Sequence, residues 1–127
     1  YLFGDEIPWF ASAVPLGEKE IRGILPLARL EELEPYLEPL AAGIEGCLDL
    51  YRHLGTSAFN MAIFFDSDGS DHGFRAFCSL IARINPNISG MSDSAFMERL
   101  HREPVILTPP EDLSAHYRDM RIGKGAL

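Results

Sequence analysis

Two apolar runs dominate the middle of the chain, Phe59-Asn60-Met61-Ala62-Ile63-Phe64-Phe65 and Phe74-Arg75-Ala76-Phe77-Cys78-Ser79-Leu80-Ile81-Ala82-Arg83-Ile84-Asn85. Between them, Asp66 to Gly73 is made of Asp, Ser, Gly and His, residues that tolerate turn geometry and compete for ladder hydrogen bonds. The pair predicts a β-hairpin with a long loop. In the second run Phe74, Ala76, Cys78, Leu80, Ala82 and Ile84 alternate with Arg75, Phe77, Ser79, Ile81, Arg83 and Asn85, so one face of that strand is wholly apolar and the other mixed. The mixed face is where a site would lie.

Upstream, Ile7 to Pro15 and Glu20 to Pro26 read as two more strands joined by a Gly17-Glu18-Lys19 turn, an antiparallel pair. Prolines at both ends of the first point to an edge, or to a strand that begins and stops abruptly. Leu27 to Glu34 is a connector with room for a helical turn, and Pro35 or Pro39 suits the start of a helix, where a missing N–H does no harm. Leu37, Leu40, Ala41, Ile44, Leu48, Tyr51 and Leu54 then recur at helical spacing on one stripe, ending near His53 with Gly55 as the stop. Glu34, Glu38, Glu45 and Asp49 fall mostly off that stripe and read as a solvated face.

Beyond the hairpin, Pro86 to Asp93 is a loop by composition, and Ser94 to Leu100 is equally compatible with a helical turn or a strand. Arg102 to Pro109 reads as a final strand, Glu111 to Met120 as a terminal helix, and Arg121 to Leu127 as a frayed tail. The order β-β-α-β-β-β-α describes one α+β domain over residues 1–127, an antiparallel sheet of about five strands carrying one long helix and a C-terminal helix.

Charge narrows the partners. Nineteen acidic against eleven basic residues leave a net charge of −8, which opposes binding to a phosphate backbone, so nucleic acid is not expected as a partner. No apolar run is long enough for a membrane span, and no leader is visible at the start. Cys47 and Cys78 occupy apolar positions of a predicted helix and strand and are expected to be buried thiols, which fits a reducing, cytoplasmic setting. The start at Tyr1, without an initiator Met, gives the chain the look of a piece of something longer.

The candidate chemistry is basic. Arg75 and Arg83 share the mixed face of the fourth strand, where a guanidinium fork can hold a phosphate or carboxylate; the alternative is pairing with acids such as Asp66 or Glu98. Arg99, His101 and Arg102 form the one basic cluster, an anion site or else a solvated strand edge. His72 sits in a loop that superficially resembles a cation-binding loop but lacks the spaced Asp/Asn ligands and closing Glu of an EF-hand. His53 and His116 read as surface imidazoles. No Gly-rich phosphate loop, Cys-x-x-Cys pair or recognisable Ser-His-Asp set is present.

Phe10-Ala11-Ser12-Ala13-Val14-Pro15, Ile24-Leu25-Pro26, Phe59-Asn60-Met61 and Thr108-Pro109-Pro110-Glu111-Asp112-Leu113, in this order, resemble the C-terminal half of galactose-1-phosphate uridylyltransferases, a domain of the histidine-triad-like fold. The resemblance spans nearly the whole chain through short phrases. The fourth strand of that family carries His-x-His-x-Glu followed by Pro-Arg. With Arg83 setting the register, the histidine positions fall on Arg75 and Phe77, the glutamate on Ser79 and the proline on Ala82; a further family histidine falls on Phe64.

These replacements remove the donors. Phenylalanine offers none and arginine stays protonated, so neither the family's metal nor any other cofactor is expected. With Phe64 and Phe77 at ligand positions, the simplest expectation is a polar site filled with core. The family's nucleophilic histidine lies in the other half of the protein, so no residue here is carried over as catalytic. The resemblance then implies a non-catalytic domain of a nucleotidyltransferase of galactose metabolism. It would help form a nucleotide-sugar or sugar-phosphate pocket with the N-terminal half of the same protein and pair as a homodimer, with Arg75, Arg83, Arg99, His101 and Arg102 as candidate substrate-binding residues. The alternative is a degenerate fold kept as a binding or assembly module without nucleotide chemistry.

Overall fold

Alternation along the strands decides which side chains are withdrawn from water. Trp9, Ile21, Ala76, Cys78, Leu80 and Ala82 are buried together with Leu40, Cys47, Leu50 and Tyr51 of the long helix and Leu113 and Met120 of the terminal one. The computed structural model describes residues 1–66, 73–83 and 106–125. Its strands are β1 (Trp9–Ala11), β2 (Ile21–Ile24), β3 (Phe59–Phe64) and β4 (Phe77–Ala82), and its helices are α1 (Leu37–His53) and α2 (Pro110–Gly125). The four strands form one antiparallel sheet in the order β1-β2-β4-β3. The result is an α+β architecture with both helices packed on the sheet.

Most elements stand where the pattern places them. The proline-flanked first strand is an edge, two short 3-10 turns (Leu30–Glu32 and Glu34–Tyr36) fill the connector, and α1 stops before Gly55, whose φ of +75° is the left-handed conformation glycine adopts freely. The terminal helix begins on Pro110, an N1 proline, and runs through the predicted tail to Gly125. Ile106 to Pro109, the described part of the predicted final strand, is not extended ladder; its backbone is held instead by Glu18, whose carboxylate accepts from the N–H of Leu107 (3.1 Å) and of Thr108 (2.6 Å). The remainder of that strand, the loop at residues 86–93 and the segment 94–100 lie outside the described residues.

The buried stripe of α1 is rotated from the one its leucines predict. Leu40, Gly43, Cys47, Leu50 and Tyr51 face inward, whereas Leu37 is 51% exposed and Ala41 lies in solvent. Size is the reason. Trp9 on β1 needs room, and a Cβ on Gly43 would come within 2.0 Å of its indole nitrogen; one on Gly23, its cross-strand neighbour, would lie 2.7 Å from its ring. The small residues turn toward the ring and the larger ones flank it. The N-terminal arm follows: Trp9 N–H donates to the Phe3 carbonyl and its carbonyl accepts from Leu2, so the Phe3 ring lies stacked 6.2 Å from Trp9 and over Gly46.

Among the described residues no helix is long and apolar enough to cross a membrane. Both cysteines are buried, free thiols, and burial pushes Cys78 up to about 11.

The seat of Trp9 sets opposite signs for two glycine substitutions. Ala is the better helix former by about 1 kcal/mol, yet Gly43→Ala is expected to lower stability by about 1–3 kcal/mol because the new methyl overpacks the indole. Gly123→Ala, on α2 with nothing near its Cβ position, should gain up to about 1 kcal/mol. Urea midpoints at constant m-value read both; a stabilised Gly43→Ala would refute the seat.

Candidate functional site

The sheet face opposite the helices is the mixed face of β4, widened by its neighbours. Ser79 stands across from Arg22 on β2 and Ala62 on β3, and Phe77 across from Ile24 and Phe64. The period of two puts Phe10, Arg22, Ile24, Phe77, Ser79, Ala62 and Phe64 on this one side. The loop between β1 and β2 lies over one end of it, where a Cβ on Gly17 would touch Ile81.

Arg22 is fixed from below and from the side. Its Nε donates to Glu20 Oε2 at 2.8 Å, and its guanidinium carbon sits 4.9 Å from the centroid of Phe77, a cation–π contact. Phe77 in turn stacks on Phe64 at 4.7 Å and meets Phe74 at 6.4 Å. Arg22 keeps about a quarter of its side chain in solvent, and among the described residues nothing accepts from its terminal nitrogens. A planar cation held on an aromatic ring, with its outer edge open, can take an oxyanion or a flat polar group.

Glu20 is buried and holds three donors: Arg22 Nε, Ser79 Oγ at 2.5 Å and the Leu16 N–H at 2.9 Å. Burial raises its pKa, but the hydrogen bonds from Arg22, Ser79 and Leu16 outweigh it and the carboxyl sits below its ordinary value. Glu18, also buried, turns the other way and ties Leu107 and Thr108 to the end of the sheet, while its carbonyl accepts from Ala82. Both carboxylates have their acceptor capacity occupied by the fold. Their chemistry is positional.

Arg75 and Arg83 flank β4 at its two ends, eight residues apart, which in extended chain is roughly 25 Å. They cannot grip one ligand as a pair. Both are exposed; Arg75 Nη1 lies 3.4 Å from the Phe74 carbonyl. Arg99, His101, Arg102 and His72 lie outside the described residues. Phe64 and Phe77 do meet, but not as core: Phe64 is 45% exposed on the outer strand β3, and among the described residues no helix packs on this side of the sheet. Among the described residues no three His, Cys, Asp or Glu side chains gather as metal ligands.

The residues that organise this face, Glu20 and Arg22, are not among those singled out from sequence, although their signal was present. Glu20-Ile21-Arg22 alternates through a buried Ile, so the two charges had to share the side away from the core. No protein-family model matches this chain, and no curated protein matches it.

The depressed pKa of Glu20 fixes the sign of an acid effect. Its charged form is favoured in the folded state, so its contribution is complete above the unfolded value of about 4.3 and is lost as pH falls through that value toward the lower folded one. Glu20→Gln should cost about 1.5–3 kcal/mol at pH 7, the size of hydrogen bonds to a charged group, and should flatten the decline below pH of about 5. Urea unfolding at neutral and acid pH measures both; parallel curves for the two proteins would exclude the assignment.

Proposed function

We propose that this chain is a non-catalytic, histidine-triad-like domain of a galactose-1-phosphate uridylyltransferase-like protein, and that its outer sheet face helps form a nucleotide-sugar or sugar-phosphate pocket. The observation that carries this reading is Arg22 lying on Phe77 with its outer edge open. Three of the positions that the resemblance assigns to the family's motif, Phe64, Phe77 and Ser79, belong to this same face. An aromatic and cationic lining suits a base, a sugar ring and a phosphate without a metal. In this reading Arg22 binds the oxyanion, the Phe64–Phe77 stack lies against the flat group, and Glu20 with Ser79 holds Arg22 in place. Arg99, His101 and Arg102 remain candidates for a second anion contact.

A specific observation favours the second reading, an assembly module without nucleotide chemistry. The outer strand β3 contains no charged residue and no proline, and Phe59, Met61 and Phe64 are 38%, 46% and 45% exposed. Such an edge is a template for another strand.

Thermal unfolding with UDP-glucose, UDP-galactose, hexose 1-phosphates, zinc and iron separates the two. A nucleotide sugar at about a hundred times its dissociation constant should stabilise the wild type by roughly 2.7 kcal/mol, with no shift from either metal alone. Phe64→Ala, at a half-exposed position that folding tolerates, should abolish most of that shift. No shift with any nucleotide, together with a dimer in sedimentation that Met61→Glu dissociates, would instead establish the assembly module.

A further inference from the structure

Away from the sheet face, the N-terminal arm and α2 enclose an open cavity of about 520 Å³. The ring of Phe3 stacks on Tyr117 at 5.3 Å and is itself backed by Trp9 at 6.2 Å, so the aromatic wall is anchored in the core. Tyr1 and Ile122 extend it into solvent, at 74% and 70% exposure. Arg118 and Arg121 line the same cavity, three residues apart on α2 and therefore on one side of the helix. Burial pushes the Tyr117 phenol up, and the charge of Arg121 draws it part of the way back down.

Neither arginine takes part in an ion pair or a side-chain hydrogen bond among the described residues. Acids are in excess here, nineteen against eleven bases, and Arg22, Arg29 and Arg52 each have one. Two cations that meet no acid among the described residues and line one cavity with an aromatic wall form a bipartite site: an apolar slot for a flat ring and a fork for an oxyanion.

We propose that this cavity binds a planar aromatic ring bearing a phosphate or carboxylate, the ring against Phe3 and Tyr117 and the oxyanion between Arg118 and Arg121. The site is independent of the outer sheet face, which shares no residue with it.

Calorimetric titration of the 127-residue chain with phenyl phosphate, benzoate, inorganic phosphate and phenol tests it. Phenyl phosphate or benzoate should bind at least about tenfold more tightly than inorganic phosphate or phenol, because ring and charge are read together; the tighter of the two identifies the oxyanion. The double variant Arg118→Gln/Arg121→Gln should lose at least about tenfold with an unchanged thermal midpoint, since both side chains are exposed, whereas Arg29→Gln, on another surface, should leave binding intact. Should the double variant fail to fold, each single variant is expected to weaken binding by about threefold or more. Equal binding of phenyl phosphate and inorganic phosphate, no binding of any probe, or an equal loss in Arg29→Gln would overturn the assignment.

Discussion

Everything in this fold is arranged around one indole. Trp9 has no exposed surface, and the backbone closes on it from two sides, Gly23 on the sheet and Gly43 on α1. Its burial is worth about 4–6 kcal/mol at roughly 25 cal/mol per Å² for a ring of this size. Against that stand a glycine inside a helix, about 1 kcal/mol, and a buried indole N–H without an acceptor among the described residues, about 1–3 kcal/mol. The apolar term wins, and the helix accepts a poor local residue so that the ring can be enclosed. The same seat fixes the distance between α1 and the sheet, and through Phe3 and Gly46 it brings the N-terminal arm against α2.

The second organising feature is polar and sits at the other side of the sheet. The loop between β1 and β2 contributes two buried carboxylates two residues apart, and their directions differ. Glu20 turns onto the outer face, where it binds Ser79 and orients Arg22; Glu18 turns to the end of the sheet and takes the N–H groups of Leu107 and Thr108. Lys19 between them has φ of +53°, the conformation that lets successive carboxylates diverge, and its carbonyl is met by the Tyr51 hydroxyl at 2.7 Å. Strain at one residue is thus tied to the core by a hydrogen bond from α1. Burying two acids is tolerable only because each meets several donors.

Most of the architecture was legible from period alone. The alternation of β4, the stop at Gly55, the N1 proline of α2 and the edge character of the proline-flanked β1 all rest on short-range steric and hydrogen-bonding rules. What failed depended on size and on distant partners. The leucine stripe of α1 misplaced the buried face because periodicity counts Gly43 as neutral and does not know that a tryptophan will occupy it. Ile106 to Pro109 has strand composition, yet its N–H groups go to a carboxylate some ninety residues earlier in the chain. On the mixed face, Phe77 and Ser79 could be placed from β4 itself, but Glu20 and Arg22 come from the strand beside it. Arg75 and Arg83 share parity, but they stand beyond the two ends of β4, and parity carries no information about separation.

Aromatic side chains on the outer face of a sheet have two physical fates: they can be covered by apolar packing or share the surface with groups of different polarity. Packing requires a covering layer, and here the helices occupy the other side of the sheet while β3 is the outermost strand. Phe64, 45% exposed, stacks on the part-buried Phe77 and recovers only part of the transfer energy that full burial of its ring would contribute, roughly 1.5–3 kcal/mol. A guanidinium laid over the ring covers apolar surface while keeping its own edge hydrated, and it does so without the desolvation that a carboxylate there would suffer. Arg22 also needs a counter-charge so close to the buried sheet, which Glu20 supplies, and that pairing leaves the outer edge of the guanidinium as the most polar point of an otherwise aromatic face. Phe64, Phe77 and Arg22 are thus one unit in packing terms: a half-exposed ring stacks on a part-buried one, and the cation laid over the second is held in place by a buried carboxylate.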